Sequence, residues 1–193
     1  MTRLDDVKQK VQELYQQKLP EREPWADWLY DNHVLVVTAN AKGLAEKYGV
    51  NVELSQVAAL LHDIADYKTT RSSPNHEEES LKTAREIMAE FGYSADDIAL
   101  VVDDAIRWHS CYGNDRPKSK EGQVLATADA LAHFKTDFYI FTTQIFGGKK
   151  TLAEIKEWSL KKIDRDLFNK IAFEDERKGA RPDYDMIKEL FSR

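Results

Sequence analysis

The stretch Val57-Ala58-Ala59-Leu60-Leu61-His62-Asp63-Ile64-Ala65 decides how this chain reads. Seven of its nine residues are apolar. A helix that is apolar on nearly every side is a buried helix, yet this one carries an imidazole and a carboxylate near its centre. A carboxylate withdrawn from water is costly unless a cation meets it. Residues 124–132, Val-Leu-Ala-Thr-Ala-Asp-Ala-Leu-Ala, repeat the anomaly at Asp129. Neither acid has an arginine or lysine three or four positions away. Two solutions stay open on these residues alone: a basic partner from elsewhere in the chain for each acid, or one metal ion that satisfies both.

Working outward, the histidines fall in line with the second solution. His33 lies on an apolar stripe with Leu29, Val36 and Val37, and His109 ends a stripe through Ile98, Val102, Ala105 and Ile106. Imidazole is the commonest metal ligand, and a mixed nitrogen and oxygen set suits Mn, Fe, Co, Ni or Zn. A lone histidine on an apolar face is ordinarily a hydrogen-bonded core residue, and an aspartate in an apolar run is often a structural ion pair. The combination carries the argument: His33, then His62-Asp63 after 29 residues, then Asp129 on a third apolar helix.

The remaining 193-residue sequence supports a helical frame for these residues. Gly (8) and Pro (5) are sparse, and apolar residues recur at helical spacing almost throughout. The pattern predicts an all-α, single-domain bundle of eight or nine helices, over 3–19, 24–48, 53–66, 77–91, 94–109, 121–135, 136–146 and 151–173, with a short last helix opening near Pro182. Ser94 with Asp97 and Thr151 with Glu154 read as capping boxes. Gly49, Gly92 and the Gly147-Gly148 pair read as stops. The core is expected over 25–148, with a helical tail over 149–193 packed on it. Polar loops at 67–75 and 110–120 are the expected functional loops.

Composition narrows the function. Lys plus Arg is 28 and Asp plus Glu is 34, so the net charge is −6. This disfavours a polymeric nucleic acid as partner, since such binders carry a positive field. No run approaches the roughly 18 apolar residues of a membrane span. The first residues, Met-Thr-Arg-Leu-Asp-Asp, lack the apolar stretch of a secretory signal. Cys111 is the only cysteine. A reducing, cytoplasmic setting is the expectation.

Taken together, His33, His62-Asp63 and Asp129 resemble the His … His-Asp … Asp pattern of the HD-domain superfamily of metal-dependent phosphohydrolases. "LLHDIADY" at 60–67 and "TADAL" at 127–131 carry the likeness, which continues through "NHEEES" at 75–80 and "IRWHS" at 106–110. It covers about residues 25–148, and the tail "LKKIDRDLFNKIAFEDERKGARPDYDMIKEL" is similar to that of small stand-alone members. One departure is Val36, where stand-alone relatives often carry a basic residue three positions after the first histidine.

The resemblance implies that His33, His62, Asp63 and Asp129 bind a first divalent ion, and that Asp63 bridges to a second held by His76 and His109. One or two ions of Mn, Fe, Co, Ni, Zn or Mg are expected. Such ions acidify water toward a pKa of about 7 and stabilise phosphoryl oxygens. The implied activity is hydrolysis of a phosphomonoester or phosphoanhydride, with a nucleotide as substrate. Asp66, four residues after His62, is expected to orient the attacking water or to carry its proton, with Asp63 as its catalytic neighbour. Lys68, Arg71, Arg116 and Lys118 are the expected phosphate contacts, with Lys120, Arg177, Lys178 and Arg181 as further candidates. His133, four residues after Asp129, is expected in the core or just behind the ligands. Two rivals share the pattern. A minority of HD-type proteins with the ligand order His, His-Asp, His, His, Asp are di-iron oxygenases, and a non-catalytic metal-binding module is the other. The apolar stripe of residues 4–15 leaves a homodimer open.

Overall fold

The apolar runs around His62 and Asp129 form two of three helices that pack against one another at the centre of the molecule. In a computed structural model that describes residues 2–71, 73–146 and 148–193, the three are α2 (26–48), α3 (Val52–Leu61) and α6 (Lys120–Lys135). No strand is present among the described residues. Val37, Ala58, Leu61, Leu125 and Ala128 are fully withdrawn from solvent at these contacts. Asn51 opens α3 by accepting a bond from the Leu54 amide, and Gly49 closes α2 in the left-handed region at φ 65°. That conformation costs a residue with a Cβ but not glycine.

The outer elements wrap this centre. The first, α1 (Arg3–Gln16), is opened by a Thr2–Asp5 capping box and buries Val7, Val11 and Tyr15 against α3. After it come α4 (His76–Glu90) and α5 (95–108), the latter opened by the expected Ser94–Asp97 box and packed on α6. Then α7 (Phe138–Phe146) and α8 (152–170) follow, α8 opened by the Thr151–Glu154 box. The last helix, α9 (Glu174–Ser192), packs on α8 and α6. Gly147, one of the two glycines expected to stop α7, lies outside the described residues. No helix among the described residues is long and apolar enough to cross a membrane.

Several boundaries differ from the sequence reading; the helix expected over 3–19, for one, ends at Gln16, where Gln17 turns extended. The helix expected over 53–66 ends at Leu61, because Asp63 leaves the helical region at φ −123°, ψ 33°, and Ile64–Tyr67 forms a 3-10 turn. The helix expected at 136–146 begins at Phe138. The segment expected over 151–173 ends at Lys170, where Ile171 turns extended. Pro182 does not open a short helix but lies inside α9. There it removes one backbone bond, while burial of Ala180, Tyr184 and Phe191 on one face holds the helix through it.

Three helices contain π-helical turns: Tyr30–Val34 in α2, Ala99–Ile106 in α5 and Asp166–Lys170 in α8. Such turns are rare and gather at functional sites, because the extra residue re-aims side chains off the regular stripe. Here they carry His33, precede His109, and carry Asp166 and Lys170.

Candidate metal centre

The three central helices bring His33, His62 and Asp129 together, with ligand atoms all within 4.8 Å of one another. These residues are 1%, 1% and 2% exposed. A second group, His62, Asp63 and His109, meets the same limit and shares His62. The ring orientations are set from behind. His62 Nδ1 donates to the Ala59 carbonyl at 2.8 Å, and His109 Nδ1 donates to the Ile106 carbonyl at 2.6 Å. Each ring thereby leaves its Nε2 lone pair for the facing donor group, as metal-binding histidines do.

The donor set fits a cation. His62 Nε2 and His33 Nε2 face each other at 3.4 Å. Asp129 Oδ1 lies 3.2 Å from His33 Nε2 and 3.1 Å from His133 Nε2, yet this buried oxygen makes no well-formed hydrogen bond, and neither does His33 Nδ1. Buried polar atoms are almost always paired, so an unpaired carboxylate oxygen facing imidazole nitrogens suits a positive ion. Burial chiefly pushes the His33 imidazole down to about 3 and the His109 imidazole down to about 4, against the neighbouring carboxylates. Both rings are therefore neutral and able to ligate at neutral pH.

The chain also supplies cations that no local spacing announced. Arg71, eight residues after Asp63, places Nη2 2.6 Å from Asp63 Oδ2 and 2.6 Å from Asp66 Oδ2. Lys170 pairs with Asp129 Oδ2. Each acid thus has a basic partner from outside its own helix face, but on one oxygen only, with Asp129 Oδ1 left to the imidazoles. Burial pushes both acids up, and the arginine beside Asp63 and the His133 and Lys170 groups beside Asp129 outweigh it, so both stay well below the usual carboxylate range.

Behind Asp129 lies a buried network. Asp166 accepts from Tyr139 Oη at 2.6 Å and from His133 Nδ1 at 2.9 Å, and pairs with Lys162 at 3.3 Å. His133 is thereby aimed at Asp129, close behind the ligands. Burial lowers the Lys162 amine to about 8 against the pull of Asp166.

Above the donors opens a cavity of about 670 Å³. Its floor holds Asp63, His76, His109, Asp129 and His133, its basic wall Arg71, Lys162, Arg165 and Lys170, and its apolar side Trp25, Phe138, Phe146 and Trp158. The expected site residues divide here. Arg71 and His76 line the cavity. His76 Nε2 lies 2.9 Å from Asp66 Oδ1 and is in neither donor group. Burial lowers the His76 pKa, but the Asp66 bond prevails and the net shift is upward.

Asp66 departs from expectation: it is buried, does not line the cavity, and spends both oxygens on Arg71 and His76. That geometry makes it a residue that positions those two rather than one that meets water. Lys68 is turned away onto Thr83 and Glu79. Arg116 bonds the carbonyls of Cys111, Gly113 and Asp115, and Lys118 uses its backbone amide to bond Asp104, so neither joins the cavity wall. Arg177, Lys178 and Arg181 bond Ile171, Glu174 and Asp185. Instead the wall comes from α8, whose Lys162, Arg165, Asp166 and Lys170 the sequence reading missed. The available signal was a stripe, Ile155, Ser159, Lys162, Ile163, Asp166 and Lys170, on which charged and buried apolar residues interleave.

Comparison with known proteins agrees with this geometry. The HD domain family model matches residues 30–133, a span that contains His33, His62, Asp63, Asp129 and His133. Over 103 residues the sequence is 32% identical to Ribonuclease Y of Thermosipho melanesiensis, a match covering 52% of this chain and 18% of that protein. The chain thus spans less than a fifth of that relative's length. The crystal structure of a predicted HD superfamily hydrolase from an uncultured Thermotogales bacterium aligns with 100% of this chain and 91% of its own, at a TM-score of 0.61 and 22% identity, and shares the fold.

Proposed function

Because the chain belongs to the HD-domain family, we propose that it is a metal-dependent phosphohydrolase that cleaves a phosphomonoester or phosphoanhydride bond of a nucleotide. The observation that carries this reading is the pair of donor groups sharing His62, whose Asp63, His109 and Asp129 line the floor of a cavity with a basic wall. His33, His62 and Asp129 would hold one divalent ion, and Asp63 with His62 and His109 a second. The ion supplies an acidified water and a Lewis acid for the phosphoryl oxygens.

The rest of the work belongs to the side chains. Arg71, held by Asp66 and Asp63, presents a guanidinium fork suited to a phosphate. Lys170 and Lys162 bring positive charge to the same wall. Asp166 fixes His133, and through it the free oxygen of Asp129. Trp25, Phe146 and Trp158 offer flat apolar faces to a base. Ribonuclease Y by its name acts on RNA; the cavity volume and the net charge of −6 favour a small nucleotide here.

The test is release of phosphate or pyrophosphate over a nucleotide panel, with Mn, Co, Ni, Mg and Fe each returned to metal-stripped protein. Release that depends on added metal and vanishes in His62→Ala is the expected result. Silence with every metal, or oxygen consumption with iron and no phosphate release, overturns the proposal.

A further inference from the structure

We infer that the cavity holds a second anion subsite, built around Arg165 with Lys149 and Lys150, which takes a phosphoryl group adjacent to the one at the histidine–aspartate floor. Resting on the phosphohydrolase reading above, this makes the substrate a phosphoanhydride rather than a simple monoester.

Three cations of the cavity wall are already matched by acids. Arg71 is paired with Asp63 and Asp66, Lys162 with Asp166, and Lys170 with Asp129. Arg165 lines the same cavity and has no carboxylate or carbonyl partner among the described residues; its Nε is buried and makes no hydrogen bond. Its guanidinium lies 4.1 Å from the centre of the Tyr112 ring. Contact through the flat face leaves the N–H groups, which lie in the guanidinium plane, for an acceptor. Lys149 and Lys150 line the cavity too and have no carboxylate within ion-pair distance among the described residues; Lys150 Nζ sits 5.5 Å from the Phe146 ring centre. Glu23 and Glu154 line the cavity as well, with Lys150 near enough to Glu154 for its charge to be felt, but neither acid lies within ion-pair distance of these three cations, which leaves them for an anionic ligand.

Placement sets the order of the two subsites. Arg165 directly precedes Asp166 and sits just under one helical turn after Lys162, and its charge is felt by both Lys162 and Lys170. The subsite therefore continues the basic wall outward from the floor. A monoester seated at the floor would meet Arg71 and Lys170 and leave Arg165 unused, whereas a bridged diphosphate reaches both. Arg165, Lys149 and Lys150 all lie beyond the 30–133 span that matches the family, so this feature belongs to the chain's own C-terminal part. In the reaction implied, a water oxygen bonds to one phosphorus as the bridging P–O bond breaks. The bridging oxygen departs with the other phosphoryl group, one water proton stays on the attacked phosphate, and the other passes to the leaving phosphate or to solvent.

Calorimetric titration of Mn-loaded protein, at a fixed free Mn concentration, with inorganic phosphate and with the uncleavable methylenediphosphonate tests this. Wild type should bind the diphosphonate about tenfold more tightly than phosphate, and Arg165→Met should bring the two within about threefold while leaving phosphate affinity unchanged. The exposed double variant Lys149→Met/Lys150→Met, which leaves the buried packing alone, should narrow the gap in the same direction. Equal binding of the two probes by wild type, binding of neither, or equal weakening of both by Arg165→Met overturns the subsite. Metal-dependent hydrolysis of phosphoanhydrides that Arg165→Met does not change would sink the subsite and leave the hydrolase reading standing. A diphosphonate preference without any metal-dependent hydrolysis would do the reverse.

Discussion

Replacing Lys170 by methionine separates the two ways in which Asp129 can be neutralised. Lys170 and Asp129 are each 2% exposed and paired through Asp129 Oδ2. Methionine keeps most of the volume, so packing changes little. Removing one partner of a buried pair leaves an unmatched charge and costs about 3–5 kcal/mol. His33 and His133 remain 3.2 and 3.1 Å from Asp129 Oδ1 and can take up part of that loss, which favours the lower end. For a chain of this size a loss of about 3 kcal/mol lowers Tm by roughly 6–12 °C. This is the expected drop for metal-stripped Lys170→Met against metal-stripped wild type. A divalent ion seated among His33, His62 and Asp129 replaces the missing charge. It stabilises only the folded state, by about 2.7 kcal/mol when present at 100 times its Kd. With no ammonium beside the carboxylate the variant should bind Mn more tightly than wild type, so Mn should raise its Tm by more. Thermal melts of both proteins, metal-stripped and across a Mn series, read both quantities. If Mn raises the two melting points equally, the placement of the ion beside Asp129 is refuted; if the stripped variant melts with wild type, the buried Lys170–Asp129 pair is not what neutralises the acid.

Gly122→Ala should destabilise by about 1–3 kcal/mol, although alanine is the better helix former by about 1 kcal/mol. The new Cβ would lie 2.4 Å from Pro117 Cβ and 3.1 Å from the Ala105 backbone, and the denaturant midpoint should fall with the m-value unchanged. Asp66→Asn should lower the His76 pKa, followed by imidazole NMR, and reduce phosphate release without changing the shape of its pH profile; loss of one limb of the profile would restore Asp66 as a proton carrier. Burial pushes Asp166 up, but Lys162 and His133 hold it below its unfolded value, so its stabilising contribution is complete above about pH 4 and is lost as the pH falls further. Asp166→Asn should therefore flatten the acid side of the Tm–pH curve, and an unchanged acid side would count against the network.

The metal floor could be read from sequence because its residues break a pattern. His62, Asp63 and Asp129 interrupt apolar runs, and a buried polar residue is informative where an exposed one is not. The cations of α8 could not be read the same way. Lys162, Asp166 and Lys170 stand in a helix with charged residues on its outer face as well, where a lysine ordinarily marks the solvent side. The burial of Lys170 also follows a π turn, Asp166–Lys170, which shifts the stripe by one residue and which no periodic template contains. Arg71 was seen as a phosphate contact but not as the partner of Asp63, because that pairing follows from the break after Leu61, a matter of backbone geometry. Arg116 and Lys118 were misplaced for the opposite reason: the 110–120 loop is polar as expected, but Arg116 ties down the loop's own carbonyls and Lys118 anchors it to Asp104.

The charges around the floor show why buried cations and a metal can share one site. Four carboxylates, Asp63, Asp66, Asp129 and Asp166, face three matched cations, Arg71, Lys162 and Lys170, with His33 and His109 held neutral by burial. Without a metal these paired groups carry one negative charge in excess, small enough for a stable fold, while the unpaired Arg165, Lys149 and Lys150 add positive charge elsewhere on the cavity wall. One divalent ion turns that excess to one positive charge, and the arginine and lysine side chains held by acids become available to a second anion. A bound divalent ion therefore strengthens anion binding at the floor. The near balance of charge it acts on comes from α8 and the 67–75 loop, which supply the cations, rather than from the ligands themselves. Had the acids lacked those partners, a single ion would leave the floor net negative and poorly suited to a phosphate; the same three cations that keep the metal-free core intact let the loaded site accept its substrate.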